Sequence, residues 1–223
     1  MSGLTSPGPL VCRAVLFDLD GVLIDSTESF HRHWLSWADR HGLDGEATFE
    51  IGHGLRTADH IRLVAPDLDA DLEARRFEEL EVEDTEGIRA YPGARELLAT
   101  LPANCWAVVT SSIDLLAKAR LRAGGLPVPE VLVSADDVTK GKPHPEGYLL
   151  ASKLLGVPAR DTVVIEDSPA GVGAGLAAGA IVVAVPTTHA PDQLAEAAFV
   201  APLKHIDARQ RDATAIELSM RGK

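Results

Sequence analysis

Aspartates 18 and 20 stand one residue apart at the end of an apolar run, Ala14-Val15-Leu16-Phe17, and Gly21 follows them. In a strand of period two, residues i and i+2 point the same way, so Asp18 and Asp20 can both reach one crevice if strand geometry persists that far. Carboxylates that close repel, and a site that keeps both ionised needs a cation. Capping of a turn is the plainer alternative for this segment taken alone. Other apolar runs also end in polar residues: Trp106–Val109 in Thr110 and Ser111, Val131–Val133 shortly before Asp136 and Asp137, and Thr162–Ile165 in Glu166 and Asp167.

The sum of these residues suits phosphoryl transfer, where an electrophile wrapped in negative oxygens must be neutralised before a carboxylate attacks it. Asp18 is then the candidate nucleophile, forming an aspartyl phosphate. Asp20 would protonate the leaving alkoxide and afterwards deprotonate the hydrolytic water. Lys142, in Lys140-Gly141-Lys142-Pro143-His144-Pro145, would set a positive charge between nucleophile and phosphate, and Thr110 would donate its hydroxyl to a phosphoryl oxygen. Ser111, its neighbour, is a candidate for binding substrate. Mg²⁺ is the expected cation, held by Asp18, the Asp20 backbone carbonyl, Asp167 and waters, because oxygen-only coordination with retained water suits it. Glu166 is grouped with the metal set, either supporting Asp167 or merely ending its strand.

The elements that would position these residues are legible as alternating patterns. Runs at Arg13–Phe17, Trp106–Val109, Val131–Val133, Thr162–Ile165 and Ile181–Val185 read as strands buried on both faces. Helical patterns follow most of them, through Leu115, Leu116 and Ala119, through Tyr148, Leu149 and Leu155, and through Val172 and Leu176. Strand alternating with helix predicts an α/β fold, a doubly wound Rossmann-like parallel sheet, with ligands beyond the carboxyl ends of its strands. The gap of about 90 residues between the first two strands is too long for one crossover, and its helical periodicity points to an insertion. The expected division is a core of residues 1–26 and 91–223 and a small α-helical cap at 27–90. Within the cap, Asp25 with Glu28 resembles a capping box, Phe30, Trp34, Trp37 and Ala38 form one stripe, Thr57 caps a short helix through Ile61 and Val64, and Leu68, Leu72 and Leu80 mark another. Residues 207–223 are polar, with no evident partner.

Composition bounds the possibilities. The 223 residues are 46% hydrophobic and 24% charged, with a net charge of −12. Such a chain buries a substantial core but offers no broad surface for nucleic acid or an anionic membrane. No segment is long and apolar enough for a membrane span, and Met1–Pro9 reads as a loose leader. Cys12 and Cys105, each within an apolar stretch, read as buried free thiols, so a cytoplasmic protein is expected, with a monomer as its state.

In its motifs the chain resembles the haloacid dehalogenase-like phosphohydrolases, in the sugar-phosphatase and β-phosphoglucomutase-like branch with a helical cap. The resemblance rests on Asp18-Leu19-Asp20-Gly21-Val22-Leu23-Ile24-Asp25-Ser26, Val109-Thr110-Ser111-Ser112, Gly141-Lys142-Pro143-His144-Pro145 and Ile165-Glu166-Asp167-Ser168-Pro169-Ala170-Gly171, in family order over about residues 12–202. It implies the roles given above and a small phosphorylated sugar or polyol as substrate. Gly52-His53-Gly54-Leu55-Arg56-Thr57 resembles the cap segment that contacts substrate in glycerol-3-phosphatases, 2-deoxyglucose-6-phosphatases and hexitol phosphatases. By that resemblance Arg56 meets the substrate from above; a solvated arginine near a helix start is the alternative. Mutases of the branch carry a histidine on the first cap helix that assists the second aspartate, and Phe30 stands here instead. A sugar phosphomutase is therefore the second expectation, and a receiver-like phospho-acceptor module, which needs a switch surface without a roof, the third.

Overall fold

The computed structural model describes residues 8–49, 51–52, 54–212 and 214–221. Residues 1–7 of the expected leader and His53 of the cap segment lie outside the described residues. After β1 (Leu10–Cys12), the apolar run forms β2 (Ala14–Phe17), buried throughout. A short β3 (Ile24–Asp25) leads into the helices α1 (Thr27–Arg40), α2 (Gly45–Phe49), α3 (Thr57–Val64) and α4 (Ala70–Glu83). The chain returns through β4 (Arg89–Ala90) to α5 (Ala94–Ala99), β5 (Trp106–Val109), α6 (Asp114–Ala123) and β6 (Leu132–Val133). Then come α7 (Glu146–Leu154), β7 (Thr162–Glu166), α8 (Pro169–Ala177), β8 (Ile181–Ala184) and β9 (Phe199–Val200). The last elements are β10 (Ile206–Gln210) and β11 (Ile216–Met220).

The main sheet runs β6-β5-β2-β7-β8-β9 with every neighbouring pair parallel, which is the doubly wound α/β architecture expected. Alternation along β2 feeds two separate cores. Val15 and Phe17 pack with Leu97 and Leu121 on one face, and Leu16 with Tyr148 and Val172 on the other. Fully burying an aliphatic or aromatic side chain of this kind contributes roughly 1.5–3 kcal/mol, so a strand apolar at every position stabilises only where both faces are covered.

The helices of the insertion carry an apolar cluster of their own around Trp34, Trp37, Phe49, Ile61 and Phe77. Its two connections to the sheet pair as the antiparallel β3 and β4, with Ile24 opposite Ala90 and Asp25 opposite Arg89.

Several local expectations need correction. Asp25 builds no capping box: α1 begins after Ser26, and the Asp25 carboxylate instead holds Arg89 at 2.7 Å across that pair of strands. Thr57 is the first residue of α3, and Arg56 occupies the cap position. Leu72 and Leu80 face outward, because α4 buries Ala74, Phe77, Glu78 and Glu81. The stretch from Asp207 has a partner through its two strands: β10 and β11 join β1 in an antiparallel sheet, ordered β1-β11-β10, whose Ile206, Ile216 and Leu218 close one core. Cys12 is a buried free thiol as expected, whereas Cys105 is only half-buried. Among the described residues no helix is long and apolar enough to cross a membrane.

Candidate active site

The crevice lies beyond the carboxyl ends of β2, β5 and β7, under the helical insertion. β2 hands its ladder to Asp18, whose amide donates to the Ile165 carbonyl at 2.9 Å. There the strand stops and the chain folds back through Leu19–Leu23, with Gly21 at φ +86°. A Cβ at Gly21 would stand 1.9 Å from an Asp167 carboxylate oxygen, so both the left-handed backbone and the close approach require glycine. Asp18 and Asp20 therefore reach one crevice, although Asp20 lies past the strand. Thr110, Ser111 and Asp167 line it too, with Phe30, Phe49, Leu55, Thr57 and Glu81 from the insertion, and the crevice offers a volume of about 100 Å³.

Lys142 extends its ammonium between Asp18 and Glu166, pairing with an Asp18 oxygen and lying 2.6 Å from Glu166 Oε1. Its loop is pinned by Glu146, the first residue of α7, which accepts from the amides of Thr139 at 2.9 Å and Lys140 at 3.1 Å. Both Glu166 oxygens are occupied: the Tyr148 hydroxyl donates to Oε1 at 2.7 Å, and the amides of Asp167 and Ser168 donate to Oε2 at 2.9 and 3.3 Å. Ser168 also caps α8, accepting from the Gly171 amide at 3.1 Å. A Cβ at Gly171 would collide with the Glu166 carboxylate, so α8 can lie this close to the end of β7 only with glycine there.

One ammonium shared by two buried carboxylates does not satisfy both equally. Burial would raise Glu166, but Lys142 and the hydrogen bonds from Tyr148 and the Asp167 amide outweigh it and lower its pKa. Asp18 lacks those extra donors. Burial pushes it up to about 8 against the pull of Lys142, with Glu166 and Asp20 adding repulsion. Asp167 is raised well above the ordinary carboxylate range by burial and by the charges of Asp18 and Glu166, despite a hydrogen bond from Thr188. Burial alone would lower Lys142, yet its two carboxylates raise it.

This donor set fits a hard divalent cation. Asp18, Glu166 and Asp167 each offer a carboxylate oxygen within 4.8 Å of the others, all buried, and ionised together they would carry more negative charge than Lys142 neutralises. Asp18 and Asp167 are the members with oxygens to spare.

The remaining candidates divide. Thr110 lines the crevice and accepts from the Ser112 amide at 3.1 Å. Ser111 also lines it, but its hydroxyl donates to the Gly54 carbonyl at 2.9 Å, joining core to insertion. Asp136 and Asp137 do not join the crevice; Asp137 pairs with Ser134 in a capping box and Asp136 accepts from the Asp114 amide that starts α6. Arg56 stands apart. It is not among the residues lining the crevice: its guanidinium pairs with Asp59 at 2.7 Å and donates to the Thr139 carbonyl at 3.2 Å, spanning the seam between insertion and core.

Other polar groups at the crevice escaped sequence reasoning. Ser26 and Ser112 both donate to Asp20, at 2.7 and 3.2 Å, and Thr188 donates to Asp167. Arg120 and Glu81 form a buried ion pair at 2.6 Å beside Asp20. Their signal was present: Arg120 falls on an otherwise apolar helical stripe, Leu116-Ala117-Arg120-Leu121, and Glu81 continues the stripe of Ala74 and Phe77 together with Glu78.

A family model described as haloacid dehalogenase-like hydrolase matches residues 12–179. Hexitol phosphatase A of Escherichia coli is 46% identical over 179 residues, covering 78% of this chain and 83% of its own length. Glycerol-1-phosphate phosphohydrolase 2 of Saccharomyces cerevisiae is 36% identical over 204 residues, covering 86% of this chain and 82% of its own. Among solved structures, a hydrolase from Pseudomonas syringae superposes with a TM-score of 0.76 at 26% identity, covering 85% of this chain and 93% of its own.

Proposed function

The chain belongs to the haloacid dehalogenase-like hydrolases, and on that premise we propose that it is a Mg²⁺-dependent phosphatase of small phosphorylated sugars or polyols, acting through an aspartyl phosphate on Asp18. The observation that carries this reading is Asp18 itself: a buried carboxylate paired on one oxygen by Lys142 and facing the crevice beside Asp20. Asp18 attacks phosphorus, and Asp20 gives its proton to the departing alkoxide, then takes one from the water that cleaves the aspartyl phosphate. Lys142 and the Thr110 hydroxyl meet the phosphoryl oxygens. Glu166 holds Lys142 in place. Asp18, Asp167 and the Asp20 carbonyl would hold Mg²⁺, which when bound neutralises charge on the phosphoryl group.

Residues 27–90 act in this reading as a cap closing over a core of 1–26 and 91–223, with the β3–β4 pair as its connection. The small crevice favours an ester of a few carbons, which the names of the relatives also support. Phe30 lines the crevice with a ring that has no proton to give, which favours water over a second sugar hydroxyl as acceptor. The free thiols Cys12 and Cys105 suit the cytoplasm. A phosphate-release screen over glycerol, pentose, hexose and hexitol phosphates tests the proposal. Mg²⁺-dependent release from single esters without a bisphosphate activator is expected; isomerised sugar phosphate without net release would overturn it.

A further inference from the structure

Asp20 is held from more than one side. Ser26 Oγ donates to Oδ1 at 2.7 Å, while Ser112 Oγ donates to Oδ2 at 3.2 Å. The Arg120 guanidinium lies 2.9 Å from that same Oδ2 and reaches Glu81 Oε1 at 2.6 Å with its other amino group. Arg120 is 5% exposed and Glu81 3%, so neither charge has water to fall back on. Asp20 follows β2, Arg120 sits on α6 and Glu81 on α4, and all of them line the crevice. The arrangement can therefore exist only while the helical insertion is seated on the sheet.

A guanidinium is suited to this position. Its planar fork serves two carboxylates at fixed angles, which a lysine ammonium on a flexible stem does not. Removing Glu81 from its side would leave a buried cation facing Asp20 and the Ser112 hydroxyl, which accepts from it at 3.1 Å, with the amino group that Glu81 held unmatched.

We propose that Arg120 is the positioning residue for Asp20, and that Glu81 makes this positioning conditional on a seated insertion. The proposal rests on the reading of Asp20 as leaving-group acid. With Oδ2 committed to Arg120 and Ser112, the transferable proton is confined to Oδ1, which fixes the carboxyl plane toward the departing alcohol. An open insertion withdraws Glu81, the cradle loosens, and the acid is not aimed until substrate is enclosed.

The test compares an alkyl ester, glycerol phosphate, with p-nitrophenyl phosphate, whose leaving group departs without a proton. The readout is kcat/KM, which ends at departure of the alcohol and so excludes the later hydrolysis common to both esters. Arg120→Met combined with Glu81→Leu removes both buried charges together, so neither is stranded. A loss of about 100-fold on glycerol phosphate against less than about 5-fold on the aryl ester is expected, in the range of a mispositioned general acid. Glu81→Gln should move in the same direction by about 10-fold, and Arg120→Lys should recover part of the loss. Equal losses on both esters, or a loss on neither, in a variant that melts like the parent overturn the proposal. Should the double variant not melt cooperatively, Arg120→Lys alone carries the same comparison. Parent turnover of both esters with uniform variant losses overturns the proposal only, whereas no parent turnover overturns the phosphatase reading and the proposal together.

Discussion

Glu166→Gln separates an anchor for Lys142 from a direct metal ligand. The Glu166 side chain is fully buried and takes donors on both oxygens: Lys142 and Tyr148 on Oε1, the Asp167 and Ser168 amides on Oε2. Glutamine has nearly the same shape but only one acceptor oxygen. If that oxygen faces Lys142 and Tyr148, the amide NH₂ abuts two backbone N–H groups; if it flips, the NH₂ abuts the ammonium and the hydroxyl. Either orientation strands buried donors and leaves Lys142 with Asp18 as its one carboxylate. Removing one partner of a buried ion pair costs about 3–5 kcal/mol. For a chain of this size each kcal/mol lowers Tm by about 2–4 °C, so a fall of roughly 6–20 °C is expected. Calorimetry in EDTA measures it without contribution from a metal. A metal-free Tm within about 2 °C of the parent, together with weakened Mg²⁺ binding, would refute the anchor argument and make Glu166 a ligand.

Further outcomes follow from the same geometry. Asp18 is raised to about 8, so its protonated form favours the folded state; that contribution is full below the ordinary carboxylate pKa and lost as pH rises toward 8. Metal-free protein should therefore lose Tm between pH 6 and 8 while the Tm gain on adding Mg²⁺ grows, and a gain that shrinks with pH would refute the assignment. Arg56→Ala should lower kcat/KM about 2–10-fold for sugar and aryl esters alike, because Arg56 ties insertion to core; a loss confined to sugar esters would return it to the leaving group. Ser168→Ala removes the cap of α8 and should cost about 1 kcal/mol, or about 2–4 °C in Tm by scanning calorimetry. An unchanged melt would mean that the cap contributes nothing.

The parts of the fold legible in the sequence were those that a single element determines. The strands apolar at every position announced a sheet covered on both faces, and their polar endings announced the crevice. The length between Phe17 and Trp106 announced the insertion. What stayed hidden depends on which faces meet. Leu72 and Leu80 marked a helix but not its inner face, which α4 forms from Phe77, turned toward Phe30 and Trp34 of α1, and Glu81, turned toward Arg120 of α6. Arg56, at the start of α3, could not be placed above the substrate or against Thr139 from its position in the chain alone. The β10–β11 pair carried a readable signal, Ile206 with Ala208 and Ile216 with Leu218 at period two, masked by Asp207, Arg209 and Glu217 between them. Asp25, read as a helix cap, met a stronger partner in Arg89, 64 residues away in sequence.

The central claim is that phosphate passes through Asp18, and acid quenching during turnover tests it most directly. Protein mixed with Mg²⁺ and excess glycerol phosphate, quenched in acid within milliseconds and digested, should carry one phosphoryl group on the peptide containing Asp18. The adduct should disappear from samples quenched after substrate is exhausted, and Asp18→Asn should form none and retain less than about one per cent of parental turnover, a barrier increase of several kcal/mol. A phosphoryl group on another residue, or phosphate release by Asp18→Asn at a rate near the parent's, would contradict the account.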